Sequence, residues 1–162
     1  MILEPGYRLN VGLIIINDKG KLLLCKRKGT NNWQFPQGGI DEGETPLEAA
    51  KRELFEEVGI HSKSVALISS SRNWYKYDIP KQQRKEHFLK RRIKGQMQKW
   101  YMFKLKNNSV GISFENDPDN EFDDFKWVSY WYPMFKIIFF KKDVYRKVLG
   151  DMRYAYFDKG LL

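Results

Sequence analysis

Glu53, Glu56 and Glu57 stand at i, i+3 and i+4 within GGIDEGETPLEAAKRELFEEVGI, residues 38–60. On a helix that spacing puts three carboxylates on one face, close enough to repel one another. Gly59 is a natural helix stop, so Glu56 and Glu57 fall in a last turn whose dipole also disfavours anions. A sequence that accepts both penalties is usually compensated by a bound cation. Oxygen ligands with no Cys or His beside them suit a hard divalent ion, Mg²⁺ or Mn²⁺. Arg52, adjacent to Glu53, can orient the carboxylates and offset part of their repulsion. An isolated E-x-x-E-E run is more often a solvated acidic face, so the surrounding residues decide the reading.

Those residues form a frame. Thr45 is a plausible N-cap, Pro46 suits the first helical position, and Glu48 completes a capping box. Leu47, Ala50, Leu54 and Val58 recur at helical spacing and form a stripe for burial. Gly38 and Gly39 permit a tight loop whose backbone can approach metal or phosphate closely. Elsewhere, Tyr7 to Ile16 and Lys21 to Lys26 read as strands around the Asn17-Asp18-Lys19-Gly20 turn. Trp33 to Phe35, Val65 to Ser71, Trp100 to Leu105 and Phe125 to Val128 are further strands, and 106–124 reads as an acidic loop. Val144, Tyr145, Val148 and Met152 predict a closing helix over about 141–152. Strands mixed with two helices predict an α/β fold, a mixed β-sheet between helices, in one domain over 1–162.

The chain of 162 residues, 42% hydrophobic and 15% aromatic, is long enough for one buried core. No apolar run is long enough to span a membrane or resembles a signal peptide. The single cysteine, Cys25, excludes an intramolecular disulfide and fits a reducing, cytoplasmic setting. His61 and His87 lack the company of ligand-type residues. The formal net charge is +9, and residues 81–99 hold eight Lys or Arg against the single Glu86. Such a run can be a solubilising loop, or a landing surface for polyphosphate or nucleic acid.

The full pattern, G-x5-E-x7-R-E-L-x-E-E-x-G-I from Gly38 to Ile60, resembles the signature of the Nudix hydrolases. With each residue type at roughly 6–7% usage, the seven positions Gly38, Glu44, Arg52, Glu53, Glu56, Glu57 and Gly59 alone coincide at a given placement with a probability on the order of 10⁻⁸. Trp33-Gln34-Phe35-Pro36-Gln37-Gly38-Gly39, Arg72-Asn73-Trp74, Glu121-Phe122-Asp123, Trp127-Val128-Ser129 and Phe140-Lys141 extend the resemblance from about Gly6 to about Val148. They resemble the branch of bacterial RNA 5′-pyrophosphohydrolases and diadenosine polyphosphate hydrolases. Leu9 and Asn120 depart from that branch, each standing where Pro is usual, and the segment from Gln82 to Lys94 is unusually basic.

The resemblance implies the Nudix fold, an α/β/α sandwich. It implies metal ligation by Glu53, Glu56, Glu57, the Gly38 carbonyl and Glu121, with two or three Mg²⁺ (or Mn²⁺) ions when substrate is bound. Glu53 is expected nearest the attacking water, with Arg52 and Glu57 beside it in the catalytic set. Arg8, Arg27 and Lys141 are expected at the substrate phosphates, with Gln96, Phe140 and Tyr77 near a base. The activity implied is removal of pyrophosphate from RNA 5′-triphosphate ends, or a shortened equivalent from a diphosphate, leaving a monophosphate open to mRNA decay. Diadenosine tetraphosphate hydrolysis uses the same chemistry and remains open. So does a catalytically idle RNA-binding module, against which the intact glutamate set argues. Protein regulators do not follow from the sequence.

Overall fold

The computed structural model describes residues 4–161; the ends of the predicted 1–162 domain, residues 1–3 and 162, lie outside them. Eight strands form one sheet: β1 (Tyr7–Ile16), β2 (Leu22–Arg27), β3 (Trp33–Gln34), β4 (Gln37–Gly39), β5 (Val65–Ser70), β6 (Tyr75–Asp78), β7 (Gly95–Leu105) and β8 (Phe122–Val128). Four α-helices accompany them: α1 (Pro46–Val58), α2 (Glu86–Lys90), α3 (Pro133–Lys136) and α4 (Lys142–Ala155). The sheet is mixed: β1 and β7 pair in parallel, and the other pairings are antiparallel.

Alternation along β1 divides the core in two. Val11, Leu13 and Ile15 face α1 with Ala50, Leu54, Val58, Phe103 and Phe122, while Ile14 and Ile16 face α4 with Trp100, Tyr145, Val148 and Leu149. A strand directs successive side chains to opposite faces, so one continuous apolar run serves both layers. The α/β/α sandwich expected from the sequence is present.

The framing of α1 matches its sequence. The Thr45 side chain accepts the Glu48 N–H at 3.2 Å, Glu48 reaches back to the Thr45 N–H at 3.2 Å, and Gly59 ends the helix at φ 75°. Burying Leu54 and Val58 is worth about 1.5–3 kcal/mol each, which anchors the helix to the core.

The closing helix runs on to Ala155, two short helices join the two expected, and three further differences bear on the site. The strand read as Trp100 to Leu105 begins at Gly95, because Gln96 and Gln98 are buried polar residues that break the apolar signal. The strand β8 starts at Phe122, inside the stretch read as loop, since Asp123 and Asp124 disguise its alternation. The basic segment is not one loop: it contains α2 and then enters β7.

Tyr145, buried in the α4 layer, accepts the Phe35 N–H at 2.8 Å through its hydroxyl, pinning the approach to the glycine pair from the opposite face. Tyr145→Phe leaves that buried N–H without a partner and should cost about 1–3 kcal/mol. Urea unfolding measures the loss, and a midpoint equal to that of the parent protein would remove this pin from the account.

Candidate active site

Arg52 is the centre of the α1 face. Its Nε and Nη2 donate to the two oxygens of Glu44 at 2.7 and 2.9 Å, and Nη2 also donates to the Gly39 carbonyl at 2.8 Å. Nη1 donates to Glu53 Oε1 at 2.8 Å and to Glu56 Oε2 at 3.1 Å. The five N–H groups of a guanidinium are thereby all used, which a Lys ammonium with three donors cannot reproduce. These bonds tie the glycine loop to the helix and fix the direction of Glu53. They also hold the Glu44 carboxyl below its usual range.

Glycine is required beside Glu53. A Cβ at Gly38 would stand 2.0 Å from Glu53 Cδ, and one at Gly39 would stand 2.1 Å from Arg8 Nη2. Strand β4 thus lays its backbone directly on a catalytic candidate and a phosphate-binding candidate. Any side chain at either position would displace one of them.

Burial sets the electrostatics. Desolvation pushes the Glu53 carboxyl up from 4.5 to about 7, with Glu56 adding to the rise and Arg52 opposing it. Desolvation also raises Glu57 strongly, and the neighbouring charges of Glu121, Asp117 and Glu53 raise it further. Glu57 is 4% exposed, and its Oε2 has no hydrogen-bond partner. Ligand oxygens of Glu57, Asp117 and Glu121 lie within 4.8 Å of one another. An orphaned buried oxygen in an all-carboxylate set fits a hard divalent cation, so this cluster can hold one.

A cleft of about 350 Å³ opens above these groups, lined by Arg8, Arg27, Gly38, Glu53, Glu57, Tyr77, Gln96, Glu121, Phe140 and Lys141 among others. Every predicted phosphate or base contact therefore faces one space with Glu53, Glu57 and Glu121. Glu56 does not line it; it is half-buried and turned to Arg52. Trp74 also lies away from the cleft, against Lys99. Tyr77 is buried in the floor, its ring 5.9 Å from that of Phe140.

Sequence reasoning named Gln96, Tyr77 and Lys141 but missed the amides that join them in the floor. Gln98 donates to Asn10 Oδ1 at 2.8 Å and to Gln37 Oε1 at 3.2 Å, and Gln37 donates to Gln96 Oε1 at 3.3 Å. Lys141 Nζ donates to Gln34 Oε1 and Gln37 Oε1, each at 3.3 Å. Burial and the adjacent Arg27 lower the Lys141 ammonium from 10.5 to about 7. The available signal was a run of amides, Asn10, Gln34, Gln37, Gln96 and Gln98, at inward positions of otherwise apolar strands. Asp117 was passed over as one acidic loop residue among several.

This architecture and acidic helix define a family. The chain belongs to the Nudix family: the NUDIX domain pattern matches residues 6–148. It is 48% identical over 151 residues to a protein named RNA pyrophosphohydrolase from Shewanella sediminis (strain HAW-EB3), covering 93% of this chain and 87% of that one. Its identity to the RNA pyrophosphohydrolase of Yersinia enterocolitica serotype O:8 / biotype 1B (strain NCTC 13174 / 8081) is 46%, covering 93% and 86%. Among solved structures, the E. coli dihydroneopterin triphosphate pyrophosphohydrolase matches with TM-score 0.67 at 21% identity, covering 90% of this chain and 98% of that one. A C. elegans Ap4A hydrolase binary complex matches with TM-score 0.64 at 20% identity and the same 90% and 98% coverage. At these identities the likeness to the solved structures is one of fold.

The raised carboxyls give a signed pH dependence. In metal-free protein the folded state keeps protons that the unfolded chain releases near 4.5, so stability is fully present below that pH and falls as pH rises through about 7. With EDTA, Tm should therefore drop between pH 5 and pH 8. Excess Mg²⁺ should remove most of the drop, because the cation replaces the proton. A flat Tm in EDTA across that range would contradict the buried, crowded state of Glu53 and Glu57.

Proposed function

We propose that the chain is a divalent-metal-dependent RNA 5′-pyrophosphohydrolase, acting in the cytoplasm and converting 5′-triphosphate ends to monophosphate ends that initiate mRNA decay. The observation that carries this reading is the joining of buried carboxylates and phosphate-type cations in one cleft. The naming of relatives 46–48% identical over 93% of the chain supports it. Among the described residues no helix is long and apolar enough to cross a membrane.

In the proposed reaction a water oxygen bonds to phosphorus as the anhydride P–O bond breaks, and pyrophosphate leaves. Glu53 stands closest to that water, acting either as its base or through the ion that it would hold. Arg52 keeps Glu53 aimed, and the Gly38 backbone leaves room for its carboxylate. Glu53, Glu56, Glu57, Glu121 and the Gly38 carbonyl would hold the ions, two or three Mg²⁺ or Mn²⁺ with substrate bound. Such ions, when bound, neutralise phosphate charge and acidify water. Arg8 and Arg27 are suited to forked contact with phosphate oxygens. Lys141 regains full charge when phosphate enters, because an anion beside it favours the ammonium. Gln96 offers an amide to a base edge, and Phe140 over Tyr77 offers an aromatic surface for stacking.

The basic helical excursion favours RNA over a dinucleotide. Lys85, Gln83 and Phe88 line the cleft, and exposed Lys90, Arg91 and Arg92 continue the positive charge beyond it. A longer polyanion can use charges distant from the cleavage point, although the four phosphates of a dinucleotide are themselves strongly anionic.

With Mg²⁺ at one fixed salt concentration, 5′-triphosphate RNA with an unpaired end should be turned over with a higher kcat/KM than diadenosine tetraphosphate. Neutralising Lys90, Arg91 and Arg92 together should narrow that advantage. Equal or better turnover of the dinucleotide would make it the substrate. Tight RNA binding with no hydrolysis of either would return the idle binding module. Glu53→Gln should fold normally and lose about 10²–10⁴-fold in kcat. Lys141→Gln should raise KM for RNA more at pH 6.5 than at pH 9, where the parent lysine has itself lost its proton.

A further inference from the structure

The loop before β8 brings a carboxylate to the site that the α1 pattern does not foretell. Asp117, 9% exposed, has a ligand oxygen within 4.8 Å of those of Glu57 and Glu121. Its Oδ1 accepts the Asp119 N–H at 2.9 Å and its Oδ2 accepts the Glu121 N–H at 2.8 Å. Both bonds fix the direction of the carboxylate, and each oxygen retains a second lone pair. Opposite it, Glu57 is 4% exposed and its Oε2 has no partner, an atom that calls for a ligand.

We propose that Asp117 joins Glu57 and Glu121 as a third carboxylate ligand to a hard divalent cation, held at the loop end of the cleft before substrate arrives. The proposal rests on the metal-dependent reading above and adds to it a resident ion and a residue outside the glutamate signature.

The simpler role for Asp117 is to staple its loop. That staple uses both oxygens, and Asn or Ser would supply only one of the two acceptors. A staple alone still leaves unexplained why the charge is set facing two other carboxylates. A dication at their centre turns three repulsions into attractions. Three carboxylates also outweigh the charge of one such ion, so no phosphate oxygen is needed to neutralise it. Asn120, at φ 49°, holds the left-handed turn between Asp117 and Glu121. Asn tolerates that region, whereas proline's ring fixes φ near −65°. The departure from the branch at position 120 thus goes with the loop shape that brings Asp117 in.

The test is Mn²⁺ binding to the full chain, stripped with EDTA and free of substrate, followed by the electron paramagnetic resonance signal of free Mn²⁺. The parent protein should bind the ion, and D117N and D117S should bind it at least about ten-fold more weakly, as should E121Q. In EDTA D117N loses one N–H acceptor along with one repulsion, so the diagnostic readout is its rise in Tm on adding Mn²⁺, which should be smaller than the parent's. Unchanged Mn²⁺ affinity in D117N and D117S beside a weakened E121Q would falsify the role of Asp117 and leave the pyrophosphohydrolase reading intact. A lower Tm in EDTA with unchanged affinity would reduce Asp117 to a staple. No Mn²⁺ binding by the parent protein without substrate would overturn the resident ion.

Discussion

Carboxylates crowded at a buried helix face must be held against their own repulsion, and the guanidinium of Arg52 does this. It carries charge into a half-buried place that water screens only in part, and its planar fork satisfies Glu44, Glu53, Glu56 and the Gly39 carbonyl together. An ion pair on an open surface contributes little, about 0–1 kcal/mol. Arg52 is only partly exposed and joins several carboxylates, so its loss would leave Glu53 buried and undirected. The cluster nevertheless stays under-compensated. Glu57 lies beyond the bonds of Arg52, and its unpartnered oxygen marks where the remaining positive charge must come from.

The rest of the fold serves that face. Parallel pairing of β1 with β7 sets Arg8 beside Gln96 and Asn10 beside Gln98, so the cleft floor is a lattice of amides and not of apolar side chains. Strand β4 pairs with β1 at Val11 and Gly38, which brings the glycine backbone onto Glu53. Opposite, the α4 layer supplies Tyr145 to hold Phe35 and begins at the turn that delivers Phe140 and Lys141. One sheet therefore meets two chemistries. Carboxylates approach from α1 and the loop before β8, and cations from β1, β2 and the start of α4.

Legibility in the sequence followed the physics of each signal. The α1 helix was readable to its caps because Thr45, Pro46, Glu48 and Gly59 each act through local backbone geometry. The two-layer core was readable from apolar runs. Strand β6 went unread: YKYD does alternate buried and exposed residues, but it is four residues long. Gln96 and Gln98 concealed the start of β7, since burial of an amide depends on partners far along the chain. Asp117 was unreadable for the same reason. Six Asp or Glu residues crowd 115–124; the family resemblance singles out Glu121, and only the folded loop adds Asp117.

The cleft also separates recognition from charge. Lys141 sits 4% exposed among Gln34, Gln37 and Tyr77, where desolvation and Arg27 weaken its hold on a proton. An ammonium kept this dry gains more from an arriving phosphate than a solvated lysine would, because no water must be stripped from it at that moment. The outer cations of 81–94 act differently. Exposed and screened beyond about 8–10 Å at ordinary salt, they can raise the rate of encounter with a polyanion but contribute little to holding the reacting bond. Added salt should therefore slow capture of a long RNA more than it slows turnover once the end is bound. That division follows from where each cation lies.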